Sequence, residues 1–502
     1  MVVKQSPRSV VQPCTRSYEW NDIPRSHQWS FVEGEARRIL KSYNSYVIPP
    51  SFALNVTEVT KWVRILSVLA GRLGRMSGGN EVLVCTNGDI SANKMLDAID
   101  KAVERVFMEV YIFDDSPLAA RFVTALKNAA KRGCKVILVV DYVSFKTLFL
   151  ILLQIGSFNF PTLYHNELTK EGVEVLTFNP VGNRKLAVGT LPFRNHKKIL
   201  LIDNHTAFCG SMNISMDSTS QEMGGNGRFH DVNVQLRGPV VCDLAEVFKR
   251  TLEMSSYNTE ELQCIPINPI EGGVVVQVLE SDVSSLKRRT GIQSSLATVL
   301  SNAEHSVYLT TSYFYPPGFL RRSLSAAIKR NVDIHMLLSG NSDIPGDINA
   351  TMHVLRKFFK KKAQDNFKVF MTTKEHCHGK YIVVDDVWSS IGSFNWDRWS
   401  SRRNLEVSVG IFDPHTARKL KDLQHEKETE SIEYTRESSL QRPIMLKLFD
   451  SFLHKLVKFS GRNCFDGLSS NGFKSRFKRA FLRTFVDDNA GEIIALSNMA
   501  GV

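Results

Sequence analysis

Two stretches of this chain set a histidine, a lysine and an aspartate at matching intervals. The first is His196-Lys197-Lys198-Ile199-Leu200-Leu201-Ile202-Asp203, followed by Gly210-Ser211-Met212-Asn213. The second is His378-Gly379-Lys380-Tyr381-Ile382-Val383-Val384-Asp385, followed by Gly392-Ser393-Phe394-Asn395. Both read HxKxxxxDxxxxxxGSxN without a gap. An imidazole beside a fixed cation suits a phosphate ester, because the lysine neutralises the anion while the histidine attacks phosphorus or moves a proton. A single histidine in a strand is most simply a satisfied core residue. Two identical constellations point to chemistry instead.

The elements that must hold these residues follow from pattern. Ile199-Leu200-Leu201-Ile202 and Tyr381-Ile382-Val383-Val384 are short apolar runs that suit strands buried on both faces. Alternation puts His196 with Lys198, and His378 with Lys380, on one face. Asp203 and Asp385 fall at odd spacing from their histidines and so on the other face, which makes them anchors before catalytic groups. Gly210 and Gly392 permit close backbone approach. Ser211 with Asn213, and Ser393 with Asn395, are expected as neutral donors to phosphate.

Each motif ends a similar alternation of strands and helices. Strands are expected at 81–85, 110–113, 135–140 and 173–178, with helices at 94–106 and 119–132. The second set has strands at 274–279, 306–310, 332–338 and 367–371, with helices at 293–303 and 319–329. The implied architecture is α/β: two like domains related by a pseudo-two-fold, sharing one active site. The expected divisions are a leader and helical segment at 1–79, domains at 80–254 and 273–425 around a linker at 255–272, and a basic amphipathic tail at 426–502.

The chain has 502 residues and a formal charge of +12, which favours acidic partners: nucleic acid, anionic lipid or phosphate-bearing substrates. Its eight cysteines lack CxxC spacing, which argues against a disulfide framework or a structural zinc site. His376-Cys377-His378 has too few clustered companions for a metal site, so none is expected. Apolar runs fall short of the ~18 residues of a membrane span. Residues 1–18 are basic and Ser-containing, a composition shared by transit peptides and disordered tails. The apolar segment 143–160 suits a core helix or a membrane-dipping lip, and the Lys-rich run 357–362 a solvated basic face. In the tail, Ile444 to Phe459 has helical apolar spacing. Phe473, Phe477, Phe481 and Phe485 form a stripe fit for a core or, among so many cations, for an interfacial helix on anionic lipid.

The paired motif resembles that of the phospholipase D superfamily over roughly residues 80–425. Within it, Phe229-His230-Asp231-Val232, Ser312-Tyr313-Phe314-Tyr315-Pro316 and Asn404-Leu405-Glu406-Val407 are similar to bacterial-type cardiolipin synthases. The chain departs from their pattern at Gly210-Ser211, where Gly-Gly is common, at Trp396-Asp397-Arg398-Trp399-Ser400, and in lacking paired N-terminal spans. The resemblance implies a catalytic set of His196, Lys198, Asp203, His378, Lys380 and Asp385, with phosphate held by Ser211, Asn213, Ser393 and Asn395. Asp231 and Glu406 are the candidates to orient the imidazoles. It implies ping-pong phosphatidyl transfer to phosphatidylglycerol through a phosphohistidine on His196, with His378 as acid/base and no metal or cofactor. Near-symmetry leaves the two histidine roles interchangeable on sequence grounds. The implied partners are anionic phospholipid, phosphatidylglycerol or CDP-diacylglycerol, at a peripherally bound membrane, with the mitochondrial inner membrane as the expected location. The rival activities are phosphatidylglycerophosphate synthesis, phospholipid hydrolysis, and phosphodiester cleavage of nucleic acid, to which the apolar segments are less suited.

Overall fold

The structure, a computed structural model, describes Gly34 and residues 56–72, 74–141, 162–178, 194–282, 289–342, 344–359 and 365–460. The leader 1–18, the apolar segment 143–160 and the Phe stripe at 473–485 lie outside them.

Two sheets are built to one plan. In the first, the order across the sheet is Arg75–Cys85, Asn233–Arg237, Thr206–Gly210, Ile199–Ile202, Arg105–Val110, Lys135–Asp141 and Glu174–Phe178. In the second it is Val274–Asp282, Asn404–Phe412, Trp388–Gly392, Tyr381–Val384, Ser306–Thr311, Asp333–Ser339 and Phe367–Thr372. Antiparallel and parallel pairings fall at the same places in both. Strand by strand, the repeat seen in the motifs extends through each half. The sheets join where Arg75–Ser77 pairs antiparallel with Val276–Val278.

Each motif strand is central and buried throughout, Ile199–Ile202 and Tyr381–Val384 alike. Apolar residues on both faces are what such a strand requires. One face of each sheet packs on its own helices. The other meets a shared core of Ile199, Leu201, Tyr381 and Val383 with the helices Val240–Met254 and Pro414–Thr429. This common core holds the two motif strands in fixed relation. The helix Val56–Arg72, within the expected helical segment, adds Trp62, Leu66 and Leu69 to the outer core of the second half.

Three sequence expectations are corrected. The first-half helix runs Gly88–Asp100, not 94–106, because the Asn87 side chain accepts from the Ile90 amide and starts it early. The adjacent strand is accordingly Arg105–Val110 instead of 110–113. The helix Pro414–Thr429 ends before a short strand, Ile432–Glu433, that edges the second sheet. A disulfide joins Cys242, on the helix Val240–Met254, to Cys264 in the following segment, although the scattered cysteines argued against one. Spacing alone could not show that the chain folds back on that helix.

Candidate active site

The residues before each motif histidine leave their own sheet and pair with the other half. Arg194–Asn195 forms a two-residue parallel ladder with Asn404–Leu405. His376–Cys377 does the same with Phe229–His230. The register carries one step further: the His196 amide donates to the Leu405 carbonyl at 3.0 Å, and the His378 amide to the His230 carbonyl at 3.0 Å. The next residues on the facing strands are Glu406 and Asp231.

Each histidine therefore meets a carboxylate from the opposite half. His196 Nδ1 lies 2.9 Å from Glu406 Oε2, and His378 Nδ1 lies 2.6 Å from Asp231 Oδ1. Both carboxylates are fully buried. A buried carboxylate against Nδ1 holds the proton there and leaves the Nε2 lone pair as the reactive one. Burial alone would raise Asp231, but the facing His378 and the Lys380 charge hold it well below the usual carboxylate range. Glu406 is lowered too, by His196 and Lys198 against its burial. Burial, then the Lys380 charge, pushes His378 down to about 3, and burial lowers His196 as well. The resting pair is thus two neutral imidazoles on two carboxylates.

Lys198 and Lys380 are buried beside them, and each ammonium donates to the carbonyl of its own motif histidine, Lys198 at 2.7 Å. Burial pushes Lys198 down to about 7; the Lys380 charge adds to this, while Glu406 and Asp231 oppose it. That the second motif's lysine and the first half's Asp231 both act on Lys198 is the electrostatic sign of a single site. Such a cluster is an anion receptacle: two ammonium groups repel until a phosphate sits between them.

The other predicted residues separate by role. Asn213 and Asn395 are both buried, and the Asn213 side-chain oxygen accepts from the Ile112 amide. Ser211 and Ser393, expected as donors to phosphate, place their hydroxyls against carboxylates in this structure. Ser211 Oγ donates to Asp231 Oδ1 at 2.6 Å and Ser393 Oγ to Glu406 Oε2 at 2.5 Å. Each hydroxyl also accepts a backbone amide, from Val232 or Val407. Side-chain parity put them on the right face but could not say that a carboxylate sat there first.

Asp203 and Asp385 stand apart from the imidazoles. The Asp203 carboxylate accepts from the amides of Val103, Glu104 and Arg105, and the Asp385 carboxylate from Glu304, His305 and Ser306. Both have φ 51°, a left-handed turn that closes the motif strand. They are anchors of the strand end, as their odd spacing implied, and not members of the reacting cluster. Gly210 and Gly392 meet their expectation, since a Cβ would fall 1.9 Å from Asn233 Oδ1 and 2.3 Å from Val407 O respectively.

Several neighbours were not found from sequence. Tyr111 meets the His196 ring edge-on at 4.9 Å, and Phe229 stacks on His378 at 4.7 Å. Arg194 pairs with buried Asp141 at 3.0 Å, fixing the strand that carries His196. Lys197, facing away from Lys198, reaches buried Glu109 at 3.5 Å and Thr251 at 2.5 Å. Phe229 stood within a stretch already singled out, while nothing in local spacing marked Tyr111 or Glu109.

Two equivalent α/β halves around one crossed pair of histidines define the phospholipase D class. The chain belongs to the family described as cardiolipin synthase, PLD-like domain, which matches residues 95–250 and 296–426. It is 26% identical over 412 residues to the cardiolipin synthase of Geobacillus sp. (strain WCH70), covering 80% of this chain and 77% of that one. The major cardiolipin synthase of Bacillus subtilis (strain 168) is 28% identical over 380 residues, 74% of each chain. Cardiolipin synthase B of Escherichia coli (strain K12) is 28% identical over 354 residues, 68% of this chain and 79% of its own. Among solved structures, the phosphatidylserine synthase of Haemophilus influenzae Rd KW20 shares the fold with a TM-score of 0.56 at 12% identity, over 76% of this chain and 93% of that one. The protein is a phospholipase D-type phosphatidyltransferase. These relatives are bacterial, which argues against the mitochondrial compartment expected from residues 1–18. Among the described residues, no helix is long and apolar enough to cross a membrane.

Proposed function

We propose that this protein transfers a phosphatidyl group to phosphatidylglycerol by a two-step, ping-pong reaction in the manner of a cardiolipin synthase. The observation that carries the reading is the crossed arrangement, in which each imidazole is held by the other half's carboxylate beside a buried lysine. His196 Nε2 attacks phosphorus; the bond from phosphorus to the leaving glycerol oxygen breaks, and His378 supplies the proton that oxygen takes. His378, now neutral, removes the proton from the acceptor hydroxyl, whose oxygen attacks the phosphohistidine and returns His196 free. His378 is neutral at rest, depressed by burial and then by the Lys380 charge; the bound phosphodiester's negative charge offsets that of Lys380, so His378 takes up a solvent proton at Nε2 as the anion binds. Lys198, Lys380 and the amide nitrogens of Asn213 and Asn395 bind the non-bridging oxygens as charge redistributes.

Attachment to an anionic bilayer fits the same reading. The helix Ile444–Ser460 leaves Met445 73%, Phe449 50% and Phe452 53% exposed, with Lys447, Lys455 and Lys458 in the same segment. Apolar side chains flanked by lysines suit a helix lying in the headgroup region.

The test is to give purified protein phosphatidylglycerol alone, phosphatidylglycerol with CDP-diacylglycerol, or single-stranded DNA. Cardiolipin and glycerol from phosphatidylglycerol alone are expected. A strict need for CDP-diacylglycerol would replace the donor, and DNA cleavage without lipid turnover would overturn the reading. Labelled lipid should be trapped on His378→Ala but not on His196→Ala; the opposite pattern would exchange their roles.

A further inference from the structure

Away from the active site, the second half brings His335, His425 and Glu428 together, with one ligand atom of each lying within 4.8 Å of the others. His335 lies on the strand Asp333–Ser339, and His425 and Glu428 lie on the helix Pro414–Thr429. Tyr308 pairs with both His335 and Val383, which places the group toward the far end of the motif strand from His378.

We propose that these three side chains form a divalent transition-metal site, suited to Zn²⁺, that pins the helix Pro414–Thr429 to the second sheet. His335 Nδ1 and His425 Nδ1 both lie 3.1 Å from the same oxygen, Glu428 Oε2. Metal–ligand bonds of about 2.0–2.2 Å at tetrahedral angles separate neighbouring ligand atoms by about 3.3 Å, so each nitrogen stands from the carboxylate oxygen at about the spacing of two ligands on one ion. The rings are nearly perpendicular, at 84°, and do not block one another.

Carboxylates face both nitrogens of His335, Glu428 at Nδ1 and Asp333 Oδ2 at 3.5 Å from Nε2. With a metal at Nδ1, the Nε2 proton points to Asp333, giving the carboxylate–histidine–metal sequence that fixes ring orientation. Glu428 is itself held, its other oxygen accepting from Gln424 Nε2 at 2.8 Å. His335 and Glu428 are buried, whereas the His425 side chain is 43% exposed, which leaves an entry path and room for a fourth, water ligand. Two imidazoles and one carboxylate select Zn²⁺ and its transition-metal neighbours over Mg²⁺ or Ca²⁺. His425 and Glu428 share a helix face at i and i+3. Their partner His335 lies 93 residues before Glu428, which is why no ligand spacing shows in the sequence.

The experiment uses the full chain without a histidine tag, stripped with chelator and dialysed against Zn²⁺ alone. Bound metal is counted by mass spectrometry and the thermal midpoint is recorded with and without Zn²⁺. One Zn²⁺ per chain and a raised midpoint are expected for the unaltered protein and for His378→Ala. His425→Ala, at a half-exposed position, and Glu428→Gln should each weaken binding about tenfold or more and abolish the midpoint shift. Co²⁺ in the same site should give tetrahedral visible absorption that His425→Ala removes. Absence of stoichiometric binding, undiminished binding in both variants, or loss of binding in His378→Ala would overturn the proposal.

Discussion

Asp231 Oδ1 lies 2.6 Å from His378 Nδ1 although the two residues are 147 positions apart and belong to different halves. Glu406 answers it on His196 across 210 positions. The carboxylates lie on the far sides of the crossing because Phe229–His230 and Asn404–Leu405 pair in parallel with the residues just ahead of each histidine.

This pairing sets the first prediction. Asp231→Asn and Glu406→Gln should each lower kcat about 10²–10⁴-fold with little change in KM, since the amide cannot favour the needed imidazole tautomer or stabilise its cation. The double variant His378→Ala/Asp231→Asn should be no slower than His378→Ala alone, because the two act as one unit. Steady-state rates for the four proteins check this. Multiplicative losses would mean that Asp231 acts elsewhere.

Lys198 makes anion binding pH-dependent. Its ammonium, pushed down to about 7, is charged below that pH and neutral above it. Affinity for tungstate, read by calorimetry, should therefore fall about tenfold per pH unit above 7 in the free enzyme. Lys198→Arg keeps its charge and should flatten that decline. His378, depressed to about 3, stays neutral as the pH falls through the ordinary histidine range, so its NMR signals should not titrate between pH 8 and 5 until tungstate is added.

Ser211 and Ser393 distinguish carboxylate support from phosphate contact. If they hold Asp231 and Glu406, Ser211→Ala and Ser393→Ala should lower kcat and leave KM nearly unchanged. Each should also cost about 1–3 kcal/mol in urea unfolding, the penalty for stripping a buried acceptor of its donor. A raised KM with unaltered stability would return them to the phosphate.

The exposed side of Ile444–Ser460 bears on membrane attachment. Phe449→Glu with Phe452→Glu should cut flotation with phosphatidylglycerol-containing vesicles at least about tenfold, while turnover of a short-chain soluble lipid persists. Neither side chain lies in the core, so the fold should tolerate the change. Undiminished flotation would assign attachment to another part of the chain.

Much of this was legible before the structure. A buried central strand needs apolar residues on both faces, so Ile199–Ile202 and Tyr381–Val384 declared themselves, and alternation separated the histidines from Asp203 and Asp385. The crossing was not legible, because two-residue ladders such as Arg194–Asn195 with Asn404–Leu405 have no sequence signature of their own. Asp231 and Glu406 were found, but not which histidine each one serves. Parity gives a face and not a partner, so the serines' bonds to the carboxylates did not show in the sequence. Tyr111, Glu109 and the His335–His425–Glu428 cluster are products of packing between elements distant in sequence.

The parallel register also acts as an interlock during synthesis. His196 emerges from the ribosome long before Glu406, and until Asn404–Leu405 docks against Arg194–Asn195 its imidazole has no carboxylate to fix its tautomer. His378 arrives to find Asp231 already made, but needs the first half in place to reach it. A chain ending before residue 404 would carry both HxK motifs and yet leave His196 without its carboxylate. The crossed site is complete only once Glu406, late in the second half, is in place.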